Sequence, residues 1–231
     1  MQPIHKVQAL ILDFDGVVVD SEPIHLACFR EVLAGIGVPL ATEDYYARYV
    51  GFDDHDCFAA VLRNNGREAA ESLIRELVAR KTALVQQAYT RSVRAMPGAV
   101  ELIRGASEAG VPTAVCSGGL RKEIEIAARA AGVAKHLLTV VTAEDVRHGK
   151  PDPEGYRLAL ARLCAITGKA LTPGRCVVVE DAPAGIQAAK TAGMKVLAVT
   201  SSYPAGALNL ADRIVASLTD VSLGSLAGLA E

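Results

Sequence analysis

Short apolar runs alternate with helix-length amphipathic segments along most of this chain. Val7 to Leu12, Thr113 to Cys116, Leu138 to Val141, Cys176 to Val179 and Val196 to Val199 are dominated by aliphatic residues. Such runs fit strands covered on both faces of a parallel sheet. Arg213 to Ala216 is a weaker sixth. Between them, Ala99 to Ala109, Arg121 to Ala131, Pro153 to Ile166 and Pro183 to Ala192 carry helical patterns. Gly110, Gly132, Gly168 and Gly193 follow these runs, where a glycine ends a helix. The alternation predicts an α/β fold, a doubly wound, Rossmann-like parallel sheet.

One region breaks the alternation. From Ser21 to Arg94 the helical period dominates, over Ile24 to Leu33, Thr42 to Tyr49, His55 to Asn64 and Arg67 to Arg91. Prolines at Pro23 and Pro97 punctuate its two ends. The expected organisation is an α/β core from residues 1–20 and 95–231, with an inserted α-helical cap at 21–94. The Ala-rich stretch from Ala205 onward is compatible with short helices.

Composition narrows the class. The 231 residues suit one large domain or two small ones, and 51% are hydrophobic, enough for a sizeable core. A net charge of -2 supplies no basic footprint for nucleic acid and no polybasic face for a membrane. Five scattered cysteines, Cys28, Cys57, Cys116, Cys164 and Cys176, form no C-x-x-C pair and suit a reducing cytosol. No apolar stretch reaches the roughly 18 residues of a membrane span, and the N-terminus lacks the pattern of a signal peptide. A cytoplasmic monomer is expected. His5, His55, His136 and His148 have no ligand spacing and are given no metal role.

Four expected strand ends carry unusual residues, on the edge where open α/β sheets bind ligands. The first is Asp13-Phe14-Asp15-Gly16. Residues i and i+2 of an extended chain project the same way, so both acids can face one pocket, as nucleophile and proton shuttle. The second is Ser117-Gly118-Gly119 before a helix, a hydroxyl and open N–H groups suited to phosphate oxygens. The third is Lys150 in Gly149-Lys150-Pro151-Asp152-Pro153, where Asp152 and Pro153 suit a helix start and Lys150 is left over. The fourth is Glu180-Asp181, a second acidic pair, which with Asp13 makes an oxygen-rich site for Mg²⁺. Singly, each has a plainer reading as a turn, a helix cap or a solvated lysine.

In order and spacing the four together resemble the haloacid dehalogenase superfamily of phosphotransferases. Asp13 to Pro23 is similar to its first motif, Ser117 to the second, Lys150 to the third and Glu180 to Ile186 to the fourth. The resemblance spans almost the whole chain and places the helical cap between the first two motifs. It implies that Asp13 attacks phosphorus and that Asp15 protonates the leaving oxygen and then activates water. It also implies Mg²⁺ held by Asp13, the Asp15 carbonyl and Asp181, with Glu180 direct or through water. Ser117 and the Gly118 N–H would bind the phosphoryl group, and Lys150 would orient Asp13. Family members that attack carbon lack an acid at the position of Asp15, so the resemblance points to phosphate. A receiver domain, with a similar acid, hydroxyl and lysine set, is shorter and has no helical insertion. A non-catalytic phosphate binder is a further alternative.

The branch that includes β-phosphoglucomutase and the sugar-phosphate and phosphoglycolate phosphatases fits best. His25 and Ser21 stand where the mutase has a hinge histidine and a threonine. Tyr49 and Asp53, around Gly51, stand where it has a lysine and an arginine for a second phosphate. The expected activity is therefore a phosphatase acting on a small phosphorylated metabolite such as a sugar phosphate, with a phosphomutase as the alternative. Asp53, Asp54, His55 and Asp56 either meet sugar hydroxyls or cap a helix and stay solvated. Arg121 either binds phosphate or is merely exposed.

Overall fold

The computed structural model describes residues 7–230, and His5 lies outside them. Its sheet is centred on β1 (Ala9–Leu12), with every residue of the strand buried. β1 pairs in parallel with β2 (Thr113–Cys116) on one side and β4 (Cys176–Glu180) on the other. β3 (Thr139–Val141) extends the sheet beyond β2, and β5 (Lys195–Val199) and β6 (Arg213–Val215) beyond β4. The order β3-β2-β1-β4-β5-β6 is that of a doubly wound sheet, reversing direction between β1 and β4. The expected fold class holds.

Helices α5 (Ala99–Glu108), α6 (Arg121–Ala130), α7 (Glu154–Thr167) and α8 (Pro183–Thr191) connect the strands. Ile11, Val178, Val196, Leu163, Ile186 and Met194 belong to one core cluster of sheet and helix residues. Gly110, Gly132, Gly168 and Gly193 all have positive φ, so the expected helix stops use the one residue that enters this region without strain. Helix α7 starts at Glu154, after Pro153, and Asp152 Oδ1 accepts the Glu154 N–H at 2.9 Å. Near the C-terminus only α9 (Leu223–Ala227) is α-helical among the described residues.

The chain divides into two compact units: residues through Asp20 together with those from Val93 onward, and Ser21–Ser92. The second contains α1 (Glu22–Ala34), α2 (Thr42–Arg48), α3 (Asp54–Asn64) and α4 (Glu71–Arg91). Phe29 and Phe58 meet edge to face at 4.9 Å in its core. Helix α4 begins four residues later than the apolar period suggests. Gly66 has φ +66°, and Arg67 N–H turns back to the Leu62 carbonyl at 2.9 Å, so residues 65–67 close α3. The two chain crossings between units run side by side within the first: Val19 bridges Ala95 antiparallel, and Asp20 N–H donates to Arg94 O at 2.8 Å.

Candidate active site

The C-terminal ends of β1, β2 and β4 bring the motif segments together. Asp13 leaves β1 with its N–H still bonded to Val179 O on β4 at 2.9 Å. The chain then turns tightly: Val18 and Val19 both donate to Phe14 O, at 2.8 and 3.0 Å. Gly16 makes this turn at φ +72°, and a Cβ there would stand 2.0 Å from Asp181 Oδ2. No other residue fits that turn beside that carboxylate.

Lys150 joins the acids. Its ammonium donates to Asp13 Oδ1 at 2.5 Å and Glu180 Oε1 at 2.6 Å. It also lies 5.2 Å from the centre of the Tyr156 ring. Tyr156, fully buried on α7, donates its hydroxyl to Glu180 Oε1 at 2.8 Å. Glu180 Oε2 accepts the N–H groups of Asp181 and Ala182 at 2.9 and 3.1 Å. Gly185 leaves room for this carboxylate, since a Cβ there would fall 1.6 Å from Glu180 Oε1.

Ser117 is buried at the end of β2, and its hydroxyl donates to Asp15 Oδ2 at 3.4 Å. Gly119 N–H holds the same Oγ at 3.0 Å. Gly118 is exposed and has open space where a Cβ would stand. Ser117, Gly118, Lys150, Tyr156, Cys116 and Thr142 are among the residues lining a cavity of about 130 Å³.

Carboxylate oxygens of Asp13, Glu180 and Asp181 lie within 4.8 Å of one another, all buried. Burial pushes Asp13 well above the usual carboxylate range, with Glu180, Asp181 and Asp15 adding to it against Lys150. Burial and then Glu180 push Asp181 to about 7, against Ser202 and Lys150. For Lys150, burial works the other way, but the charges of Asp13 and Glu180 hold the ammonium protonated well above its usual value. One ammonium thus holds two of three clustered buried carboxylates. The excess negative charge and the all-oxygen donor set fit a hard divalent cation such as Mg²⁺.

Several residues were invisible as site members in the sequence. Ser202 Oγ donates to Asp181 Oδ2, and Ser201 Oγ donates to Gly16 O at 2.6 Å. Both follow β5, a further strand end on the ligand-binding edge, and that position was the available signal. Tyr156 gave no signal beyond an apolar helix position.

Most of the remaining expected residues have partners of their own. The guanidinium of Arg121 is held by Asp145, with Thr142 Oγ1 at 3.5 Å, rather than standing free for a phosphate. In the helical unit, His25 Nδ1 meets Lys81 Nζ at 2.7 Å, and its Nε2 meets Tyr89 OH at 3.2 Å. Lys81 is buried and paired with Asp54. Asp53 is the N-cap of α3, accepting the Asp56 N–H at 2.8 Å. Tyr49 is buried, its hydroxyl accepting from Asn64 at 2.7 Å. Gly51 turns the exposed loop between them at φ +87°. Ser21 is buried, and its hydroxyl has no hydrogen-bond partner among the described residues.

The family model of the haloacid dehalogenase-like hydrolases matches residues 7–193. Validoxylamine A 7'-phosphate phosphatase of Streptomyces hygroscopicus subsp. limoneus is 32% identical over 91% of this chain and 94% of its own. Hexitol phosphatase A of Escherichia coli is 28% identical over 94% of each. Among solved structures, a mutant of CbbY from Rhodobacter sphaeroides in complex with xylulose-(1,5)bisphosphate superposes with a TM-score of 0.82 at 26% identity, covering 95% of this chain and 99% of that one. With the match spanning all four motif segments, the chain belongs to the haloacid dehalogenase-like hydrolases.

Proposed function

We propose that the protein is a Mg²⁺-dependent phosphatase that hydrolyses a small phosphorylated metabolite, of the sugar-phosphate class, through an aspartyl-phosphate on Asp13. The observation that carries this reading is the Asp13 carboxylate held at 2.5 Å by Lys150, with Asp15, Ser117 and Asp181 around it. The relatives named as phosphatases support it.

The chemistry follows from the groups present. An Asp13 oxygen attacks phosphorus, the ester P–O bond breaks, and Asp15 gives its proton to the departing oxygen. Water then attacks the phosphorus of the aspartyl-phosphate and loses a proton to Asp15. The bond to Asp13 breaks, and inorganic phosphate leaves. Ser117 Oγ and the Gly118 N–H stand to bind the phosphoryl oxygens, and Lys150 fixes the nucleophile and offsets its charge. Asp13 and Asp181 would hold Mg²⁺, with Glu180 beside them, and the ion would supply the positive charge that lets an anion approach an anion.

Residues 21–92 form the cap in this reading and select the leaving group. Residues 49–56 contain no Lys or Arg, Tyr49 is packed away, and Asp53 caps a helix. That loop offers no lysine or arginine for a second phosphate, and its imidazole, His55, is engaged by Glu71 and Asp56, which favours a phosphatase over a phosphomutase. Five free cysteines suit a reducing cytoplasm.

The test is phosphate release from an aryl phosphate and from a panel of hexose, pentose and hexitol phosphates. Activity should require Mg²⁺, be blocked by EDTA, and vanish in Asp13→Asn while the fold persists by circular dichroism. Turnover by Asp13→Asn at near wild-type rate would overturn the mechanism. Efficient conversion of glucose 1-phosphate to glucose 6-phosphate with a bisphosphate primer would overturn the preference over a mutase.

A further inference from the structure

Asp145 lies in the turn after β3 with its side chain 13% exposed. Its Oδ1 accepts from Arg162 on α7 at 2.7 Å. Its Oδ2 accepts from the Thr142 N–H at 2.9 Å, the Thr142 hydroxyl at 3.0 Å, and the Arg121 guanidinium at the start of α6. Arg162 donates as well to Val140 O at 2.9 Å, so the cluster is anchored to β3 itself. Burial acts to raise the Asp145 pKa, but the Arg162 and Thr142 hydrogen bonds outweigh it and hold the carboxyl well below its usual range.

The same turn is joined to the segment that carries Ser117. Ser117 N–H donates to Val141 O at 2.9 Å, and Ala143 N–H to Gly119 O at 3.3 Å. Arg121 N–H donates to Glu144 Oε2 at 2.6 Å. Arg121 is therefore tied at both ends, through its main chain to Glu144 and through its side chain to Asp145. Ser117 and Gly118 sit between these ties, on the wall of the cavity that Thr142 and Ala143 also line.

We propose that Asp145 is a positioning residue for phosphoryl binding: through Arg121 and the Thr142 turn it fixes where the Ser117 hydroxyl and the Gly118 N–H stand. The inference rests on the phosphatase reading above. Arg121 is then a tether and not a phosphate ligand. Donors of this kind act only when they are pre-set at the position of the developing charge, so loosening the tether weakens phosphate binding without touching the acidic cluster.

The experiment measures the inhibition constants of inorganic phosphate and orthovanadate, and Mg²⁺ binding by calorimetry, in wild type, Asp145→Asn, Arg121→Ala and the double variant. Each single variant should weaken phosphate about tenfold, the loss of roughly one charge-assisted hydrogen bond. The double variant should be no weaker than about tenfold, because both act through one tether. Mg²⁺ affinity should stay unchanged. If Asp145→Asn does not fold, Asp145→Glu, which keeps the charge and shifts the carboxylate by one methylene while leaving Arg121 in place, carries the same test. Unchanged phosphate inhibition in a folded variant overturns the proposal. So does weakening in Arg121→Ala with none in Asp145→Asn, which would make Arg121 a direct ligand. A wild type that neither hydrolyses phosphomonoesters nor binds phosphate would instead refute the phosphatase reading itself.

Discussion

Lys150 donates to Asp13 at 2.5 Å across 137 residues of sequence, and the same ammonium reaches Glu180 at 2.6 Å. One cation therefore holds two carboxylates from two different strands. Removing it by Lys150→Ala leaves those two acids facing each other with no cation between them. Breaking a buried pair costs about 3–5 kcal/mol, and the 20% exposure of Lys150 places the effect toward the lower end. Urea unfolding without metal should show that loss, with phosphatase activity falling by at least ~100-fold. A midpoint close to wild type would show that the pair adds nothing to the fold.

On the proposed reading, the cluster of Asp13, Glu180 and Asp181 holds Mg²⁺, and stability then follows the ion. An ion bound only to the folded state stabilises it by about 2.7 kcal/mol at one hundred times its dissociation constant. Thermal unfolding should move upward with added Mg²⁺ and return after EDTA. Asp181→Asn should abolish most of that rise, since it removes one of the three carboxylates. An equal rise in the variant would place the ion elsewhere.

Two helical glycines should respond oppositely to alanine. Gly105 on α5 has nothing within 4 Å of an added Cβ, so Gly105→Ala should gain up to about 1 kcal/mol from helix propensity. Gly185 on α8 has Glu180 Oε1 at 1.6 Å, so Gly185→Ala must displace that carboxylate. It should cost about 1–3 kcal/mol and lower kcat, measured by denaturant titration and steady-state kinetics. Wild-type kcat in Gly185→Ala would mean that Glu180 has no fixed position to lose.

His25 sets a pH dependence of stability. Burial, with the Lys81 ammonium beside it, pushes the imidazole down to about 3. As pH falls, the unfolded chain takes up this proton near 6.5 while the folded protein does not. Stability from this group is therefore full above about 6.5 and declines by ~1.4 kcal/mol per pH unit below it. Between pH 7.5 and 5.0, wild type should lose up to about 2 kcal/mol more than His25→Gln. Equal losses would show that His25 protonates freely in the fold.

The strands, their parallel pairing and the acidic strand ends were legible because each is a local pattern. A run such as Cys176 to Val179 followed by Glu180-Asp181 states both its burial and the point where burial ends. Helix stops were equally readable, because positive φ at Gly110 or Gly168 is a property of one residue. The start of α4 was not, because the reverse turn at residues 65–67 interrupts an apolar period that continues on both sides. Tyr156, Ser202 and the Asp145 cluster stayed hidden for another reason. Apart from the local Thr142–Asp145 capping box, their partners come from other strands and helices, and a lone Tyr, Ser or Asp carries no mark of what it will meet. Asp53 could be read from the sequence either as a substrate contact or as a helix cap, and its oxygen accepts a main-chain N–H at the start of α3.

The central place of β1 also bears on synthesis of the protein. Leu10 pairs with Thr113 and with Val177, so β1 leaves the ribosome about 100 residues before one neighbouring strand and still longer before the other. Asp13 acquires its lysine at residue 150 and its acidic companions at 180 and 181 later still. A nascent chain therefore carries the proposed nucleophile without its lysine or its acidic companions until translation has passed the fourth motif.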